Sequence, residues 1–306
     1  MPRGNEQMRY QRMSLQDYAL YQRSLGLKVE KRNDVWWAEV RPFFFRPLIP
    51  LAEVDPEATR YPRQSLIGGF LHAVPPAAKT NAQMNFFVYD DLQRYSLDQL
   101  KAKHRHITRK GIRNFEARRL TEAGQFINGA YEVYLSFYAR TRYQYKKERF
   151  DRACFIDWSE KLFGDNRVLV VGAYRMGKLA AIDVSCQVEE LIIDEIFFSD
   201  RESLDLKVTD FLLHTIRETA ASSDAAYIFR GLPSGHRTLD ESKLIRGCKV
   251  MRKPAMLWIN PLALYTAKLF MKKCYKKLVG ITSILPENVH LPEPQRDVVR
   301  QKRTQC

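Results

Sequence analysis

Acidic residues are in short supply in this 306-residue chain: 35 Asp and Glu stand against 50 Lys and Arg, a formal charge of +15 with a pI near 9.6. Such a surface favours phosphates, nucleic acid or anionic lipid heads over basic partners. Glycine and proline are modest, 14 of each, too few for a collagen-like or disordered chain. Cysteine is sparse as well. Residues 154, 186, 248, 274 and 306 leave one thiol over in any disulfide scheme, and none forms a CxxC pair, so reduced thiols are expected. The six histidines show no HExxH or comparable ligand spacing, and no metal is expected. No window approaches 18 uncharged apolar residues, and the opening MPRGNEQMRYQRMSL lacks a signal peptide's apolar core. A chain that is neither exported nor membrane-spanning is the expectation, placed in the cytoplasm.

What is present is globular: 45% hydrophobic and 12% aromatic residues, in a length that suits two domains. Ser14 caps a predicted helix over 14–25 that stops before Gly26. The aromatic segment 35–51, cut by Pro42, Pro47 and Pro50, predicts two or three short strands. Gly68-Gly69, FLHAV and Pro75-Pro76 mark a break, and Met84–Asp90 a strand. Ser96 is expected to cap a helix running through LDQLKAKHRHITRKGIRNFEARRL. Between 101 and 119 it carries eight basic residues against Glu116 alone, either a solvated face or an anion-binding one.

From residue 123 two helices are expected, then three strands, RVLVVGAY, KLAAIDVSCQV and ELIIDEIFF, joined by hairpin-length turns at 175–178 and Glu189-Glu190 as an antiparallel meander. A helix over 204–221, the strand AAYIFRGL, a helix from Thr238 and the strand CKVMRKPAMLWI complete the order. Beyond Trp258, Leu262, Tyr265, Leu269 and Tyr275 with Lys268, Lys272, Lys273, Lys276 and Lys277 predict a basic amphipathic helix, packed on the domain or lying on an anionic membrane. A loose tail follows from Pro286.

The residues also suggest chemistry. Asp194-Glu195 lies in an apolar strand, where one carboxylate would face a cleft and the other point away. Burial would raise its pKa toward that of a general base, while a salt-bridged pair at a solvent edge is the plainer alternative. Asp183 is a weaker third candidate. Arg140, Arg142, Tyr143 and Tyr145, at a helix end, could hold a phosphate or carboxylate. Arg230 and His236 flank Gly231 and Gly235 just past a strand. His236 is a proton carrier or a surface histidine, and Cys248 reads as a buried structural thiol.

The element order over 125–260 resembles the GNAT acyltransferase fold, and residues 10–260 resemble its FemAB-like branch, in which two such domains are joined. The run Tyr138-Ala-Arg140-Thr-Arg142-Tyr143, the hairpin VLVVGAYRMGKLAAIDV and Ser242-Lys243-Leu-Ile-Arg246-Gly247 carry the likeness. It implies an α+β fold of mixed, mostly antiparallel sheets flanked by helices. The units would be 1–122, a degenerate GNAT-like domain with a basic connecting helix; 123–260, the acyltransferase domain; and 261–306, a basic helix and tail.

It further implies an N-acyltransferase that moves an acyl or aminoacyl group from acyl-CoA or aminoacyl-tRNA to an amine. Lys243 would stabilise the oxyanion, Asp194 or Glu195 would be the base, and Arg140, Arg142, Tyr143, Arg230 and His236 would bind substrate. The best-known members of the branch take the aminoacyl group from tRNA. The glycine-rich pyrophosphate loop of acetyl-CoA users is replaced here by SDRESLDLKVTDFLL, Ser199 to Leu213, which has no glycine. No tightly bound cofactor is expected, only the donor as co-substrate. Expected partners are the amine acceptor, a polyanionic donor and, at the inner face of the membrane, anionic lipid; no obligate protein partner is inferred. Two other classes stay open: an inactive GNAT-like scaffold that binds nucleic acid or a membrane surface, and a chain whose positive charge serves only solubility.

Overall fold

The computed structural model describes residues 8–141, 146–234 and 236–270. The chain runs through β1 (Arg12–Met13), α1 (Leu15–Ser24), β2 (Val29–Arg32), β3 (Val35–Arg41), β4 (Phe44–Pro47), β5 (Gly69–Ala73), β6 (Ala82–Tyr89), α2 (Ala102–Asn114) and β7 (Glu116–Leu120). It continues with α3 (Ala123–Thr141), α4 (Arg152–Leu162), β8 (Leu169–Arg175), β9 (Lys178–Val188), β10 (Leu191–Ser199), α5 (Glu202–Asp205), α6 (Val208–Ala221), β11 (Tyr227–Phe229), α7 (Arg237–Ile245), β12 (Lys249–Ile259) and α8 (Pro261–Phe270).

All strands join one 12-stranded sheet in the order β2-β3-β4-β5-β12-β6-β11-β10-β9-β8-β7, with β1 beside β9. Pairing is antiparallel except for β1/β9, β4/β5 and β10/β11. This is the mixed, mostly antiparallel α+β class that the sequence predicts. The last strand, β12, lies between β5 and β6, and β11 pairs with β6, so strands from the two ends of the chain alternate at mid-sheet.

The meander β8-β9-β10 forms as expected. Met176 and Gly177 both have positive φ, 49° and 77°, as a two-residue primed hairpin turn requires. Strand β9 is buried from Leu179 to Val188 because helices cover both faces. Ile182, Val184 and Cys186 share one core with residues of α1, α3 and α4, while Ala180 and Ala181 share another with α6. The Ser14 side chain accepts the Asp17 N–H at 3.1 Å and caps α1, which buries Tyr18, Ala19 and Tyr21.

Several expectations need correction. The basic helix stops at Asn114, and Glu116–Leu120 is an edge strand on β8. Glu116 and Arg118, two apart, bond to each other at 2.7 Å, which neighbouring positions on one face of a strand allow and a helix does not. Ser96 precedes only a short 3-10 turn; the N-cap of α2 is Lys101. Residues 69–73 are no break but a strand buried throughout, held between β4 and β12. The helix expected over 204–221 is two, because Lys207 turns left-handed with φ 71°. The C-terminal helix is described as far as Phe270; its later lysines and the tail lie outside the described residues.

Helix α2 packs on α6 through Gly111. A Cβ there would lie 2.8 Å from the Lys207 carbonyl oxygen and 2.9 Å from the Phe211 Cβ. Alanine in a helix interior gains about 0.5–1 kcal/mol over glycine, but forcing the two helices apart costs about 1–3 kcal/mol. Gly111→Ala is therefore expected to lower the melting temperature. Gly124→Ala, whose Cβ meets nothing within 4 Å, should leave it unchanged or raise it.

Candidate functional site

The site is built where β10 and β11 part. The two strands pair in parallel over three residues only, Leu191–Ile193 against Tyr227–Phe229. Beyond Phe229 the chain follows β6 instead: the Arg230 N–H donates to the Phe87 carbonyl at 2.8 Å, and the Gly231 carbonyl accepts the Phe87 N–H at 2.9 Å. Gly231 has φ 98°, a conformation that L side chains rarely adopt. Meanwhile β10 continues to Ser199 along β9, with a bulge between Asp194 and Ile196 that bends it.

Asp194 and Arg230 face each other across the divergence as a buried ion pair, their side chains 5% and 16% exposed. The charge of Arg230 also acts on Asp183 of β9, which is 1% exposed and has a carboxylate oxygen, Oδ1, without a hydrogen-bond partner. Burial pushes the Asp183 carboxyl up to about 7, against the pull of Arg230. Two residues along β9, Ser185 shares a 2.9 Å hydrogen bond with Tyr10. On the other rim, Lys243 of α7 donates from Nζ to the Arg230 carbonyl at 2.9 Å and lies 4.7 Å over the Phe87 ring.

The expected residues thus fall into three groups. Asp194, Arg230 and Lys243 come together at the opening. Glu195 does not. It turns toward α1, where Tyr18 and Gln22 donate to its Oε1 at 2.7 and 2.6 Å, and burial pushes it up to about 7. The pair is therefore split between two faces, and neither carboxylate sits at a solvent edge. Arg140, at the end of α3, lies 5.6 Å over the Phe137 ring and senses the charges of Arg201 and Asp200, just past the end of β10. Desolvation, then repulsion from Arg201, lowers its pKa.

His236 is exposed at the start of α7, about 10 Å along the helix from Lys243, and its N–H donates to the Ser234 hydroxyl. Arg142, Tyr143 and Tyr145 lie outside the described residues. Cys248 is buried with its thiol on the Val88 carbonyl and a pKa pushed up to about 12 by burial, a structural thiol as expected. Among the described residues no three His, Cys, Asp or Glu side chains gather as a metal site would require.

Asp183, the weaker third carboxylate candidate, lies on the strand whose Ser185 meets Tyr10. The signal for it lies in KLAAIDVSCQV: Asp183, Ser185 and Gln187 recur every second residue and draw a polar stripe along a strand otherwise apolar on both faces. Two clefts lie away from the opening. One of ≈ 630 Å³ sits at the paired ends of β10 and β11, lined by Ile49, Leu51, Leu191, Tyr227 and Met251 among others. One of ≈ 410 Å³ lies beside α4, where the Arg149 guanidinium stacks 3.9 Å over Trp158.

Comparison with solved structures places this architecture. FemX matches with a TM-score of 0.56 at 10% identity, covering 88% of this chain and 99% of its own. The C-terminal domain of a putative lysylphosphatidylglycerol synthetase from Agrobacterium fabrum matches with 0.54 at 11% identity, covering 83% and 89%. L-PGS from Bacillus licheniformis matches with 0.51 at 10% identity, covering 85% and 92%. No family model and no curated protein matches the sequence. This chain shares its fold with FemX and the lysylphosphatidylglycerol synthetase structures, in keeping with the FemAB-like resemblance of the sequence.

The carboxyl of Glu195 titrates higher in the fold than in the unfolded chain. The folded state therefore holds a proton that the unfolded state releases between about pH 4.5 and 7. Its contribution to stability is complete below that window and lost above it, a total change on the order of 3 kcal/mol. Glu195→Gln is expected to flatten the fall in melting temperature between pH 5 and pH 8 without abolishing it, since Asp183 titrates in the same window; calorimetry at the two pH values measures this.

Proposed function

We propose that this chain is an N-acyltransferase that moves an acyl or aminoacyl group from an activated carrier, acyl-CoA or aminoacyl-tRNA, to an amine at the opening between β10 and β11. One observation carries the reading: Asp183, nearly fully buried beside the parted strands, keeps one carboxylate oxygen without a hydrogen-bond partner and titrates near neutrality. Asp194 pairs directly with Arg230, which leaves the buried Asp183 carboxylate without a paired cation of its own, and a positive charge arriving beside it would satisfy it. An acceptor amine arrives as an ammonium. Its charge suits the site, and Asp183 takes the proton that must leave before nitrogen can attack.

Attack on the carrier's carbonyl forms the new C–N bond and places negative charge on the carbonyl oxygen. The Lys243 ammonium, fixed at the rim by the Arg230 carbonyl, stabilises that charge. Collapse then breaks the carrier's C–S or C–O bond, and the proton shed by the newly bonded nitrogen goes to the departing sulfur or oxygen, so the carrier leaves as a thiol or a ribose hydroxyl. Asp194 acts here as a positioning residue that holds Arg230 in place. Arg140 and Arg201, with Arg142 and Tyr143 as further candidates, would receive the polyanionic carrier beyond the end of β10.

A second reading, an inactive scaffold that binds nucleic acid, draws on α2. Its Thr108–Gly111 edge is buried, Lys103, Arg109 and Arg113 are exposed, and Asp98 bridges Arg105 and Arg109. The two readings separate on transfer from acetyl-CoA or aminoacyl-tRNA to a panel of primary amines. Lys243→Ala is expected to lower turnover by about 10²-fold or more with an unchanged melting temperature, and Asp183→Asn to remove the rise in rate between pH 6 and 8 while flattening part of the fall in melting temperature over that range. Turnover unaffected by both changes would sink the enzymatic reading. A steep salt-dependent shift of RNA with no transfer to any amine would favour the second.

A further inference from the structure

Three segments that are distant in sequence meet at one end of the sheet, where β4 and β5 begin and β12 ends. The β3–β4 turn carries Phe43, with φ 62°, and its carbonyl accepts the Gly69 N–H at 3.1 Å. Asn260 ties the start of α8 to the turn before β5: its side-chain amide donates to the Leu66 carbonyl at 2.8 Å, and its N–H to the Gly68 carbonyl at 2.9 Å. Its Oδ1 accepts the Leu262 N–H at 2.9 Å and so caps α8. These contacts fix the three segments side by side.

Each segment offers large apolar side chains to solvent. Phe43 is 39% exposed, Leu66 67% and Ile67 56%; on α8, Leu262 is 78%, Tyr265 64% and Leu269 47% exposed. The last three recur at i, i+3 and i+7, so they form one stripe of the helix. An amphipathic helix commonly buries such a stripe against its own domain, and here it faces outward. No helix among the described residues is long and apolar enough to cross a membrane.

Charge decides the occupant. Arg41 and Arg63 are exposed beside Phe43 and Leu66, and the sequence from 261 to 286 carries five lysines and no acidic residue. A second copy related by two-fold symmetry would set these cations against their own images, an unfavourable pairing in a chain of net charge +15. Nucleic acid satisfies cations but gives leucine and isoleucine no apolar phase. Apolar side chains with Arg41 and Arg63 beside them, in a segment whose sequence adds only basic charge, match the boundary between acyl chains and anionic headgroups.

We propose that the surface of Phe43, Leu66, Ile67, Leu262, Tyr265 and Leu269 docks on an anionic lipid bilayer, with these side chains in the headgroup boundary and the cations on lipid phosphates. It does not rest on acyl transfer, and its test uses no catalytic readout. The full chain is floated with vesicles of phosphatidylcholine alone or with phosphatidylglycerol as about a third of the lipid. The expected result is association with the anionic vesicles only. Ile67→Asp and Leu262→Asp should each weaken it by about tenfold, and Arg63→Glu should weaken it too, with unchanged circular dichroism and melting temperature.

No association, or association that both aspartate variants leave intact, overturns the proposal; the latter would reduce it to charge alone. A dimer in sedimentation velocity that Ile67→Asp dissociates assigns the surface to a second copy and also overturns it. So does an Ile67→Cys thiol that reacts slowly with maleimide in lipid-free protein, since residues 271–306 would then already cover the patch.

Discussion

A guanidinium enclosed with two carboxylates inside a sheet sets the terms for everything around it. Arg230, Asp194 and Asp183 are all largely withdrawn from water, and a charge in such a place must be matched by its neighbours or neutralised by a proton. Asp194 matches Arg230 directly. Asp183 is left with a weaker claim on the same cation, and burial raises its pKa against the pull of Arg230. The geometry that allows this is local. Strand β11 is three residues long, so the strip of sheet next to β10 ends at Phe229, and the space beyond is bridged by side chains instead of backbone hydrogen bonds.

The surrounding architecture holds that gap open without letting the sheet fall apart. One side of the opening is anchored by β6, which binds Arg230 and Gly231 through Phe87 and binds β12 along seven register pairs from Lys249 to Ala255. The other side is anchored by the β8-β9-β10 meander, whose central strand β9 is buried on both faces. Neither rim depends on the other for its backbone hydrogen bonds. The bulge at Glu195 bends β10 as it leaves, and the Glu195 side chain is fastened to Tyr18 and Gln22, so the N-terminal helix braces the strand where it turns away.

Much of the fold was legible because local rules decided it. The Ser14 cap, the two tight turns of the meander and the apolar period of α3 each rest on neighbouring residues, and each appears where the pattern placed it. The errors fall where distant strands decide. Residues 69–73 look like a loop beside two glycines and two prolines, yet β4 and β12 recruit them into the sheet. Glu116–Leu120 continues a helical charge pattern in the text, but β8 offers it an edge to pair with. The site divides the same way. Motif and position single out Lys243, Asp194 and Arg230, which the fold brings near one another. Asp183 gains its character from burial beside Arg230, 47 residues away, and no local pattern reveals that encounter.

The place of β12 has a consequence for how the chain is made. Strands β5 and β6 leave the ribosome early, but the strand that fills the slot between them ends at Ile259. At ordinary elongation rates of 5–20 residues per second, roughly 10 to 30 s separate the two events. Through that interval Leu71, Phe86 and their neighbours face an empty lane with unpaired backbone on both banks. The nascent chain thus spends most of its synthesis with its one sheet unfinished, the slot between β5 and β6 waiting for the strand that closes it.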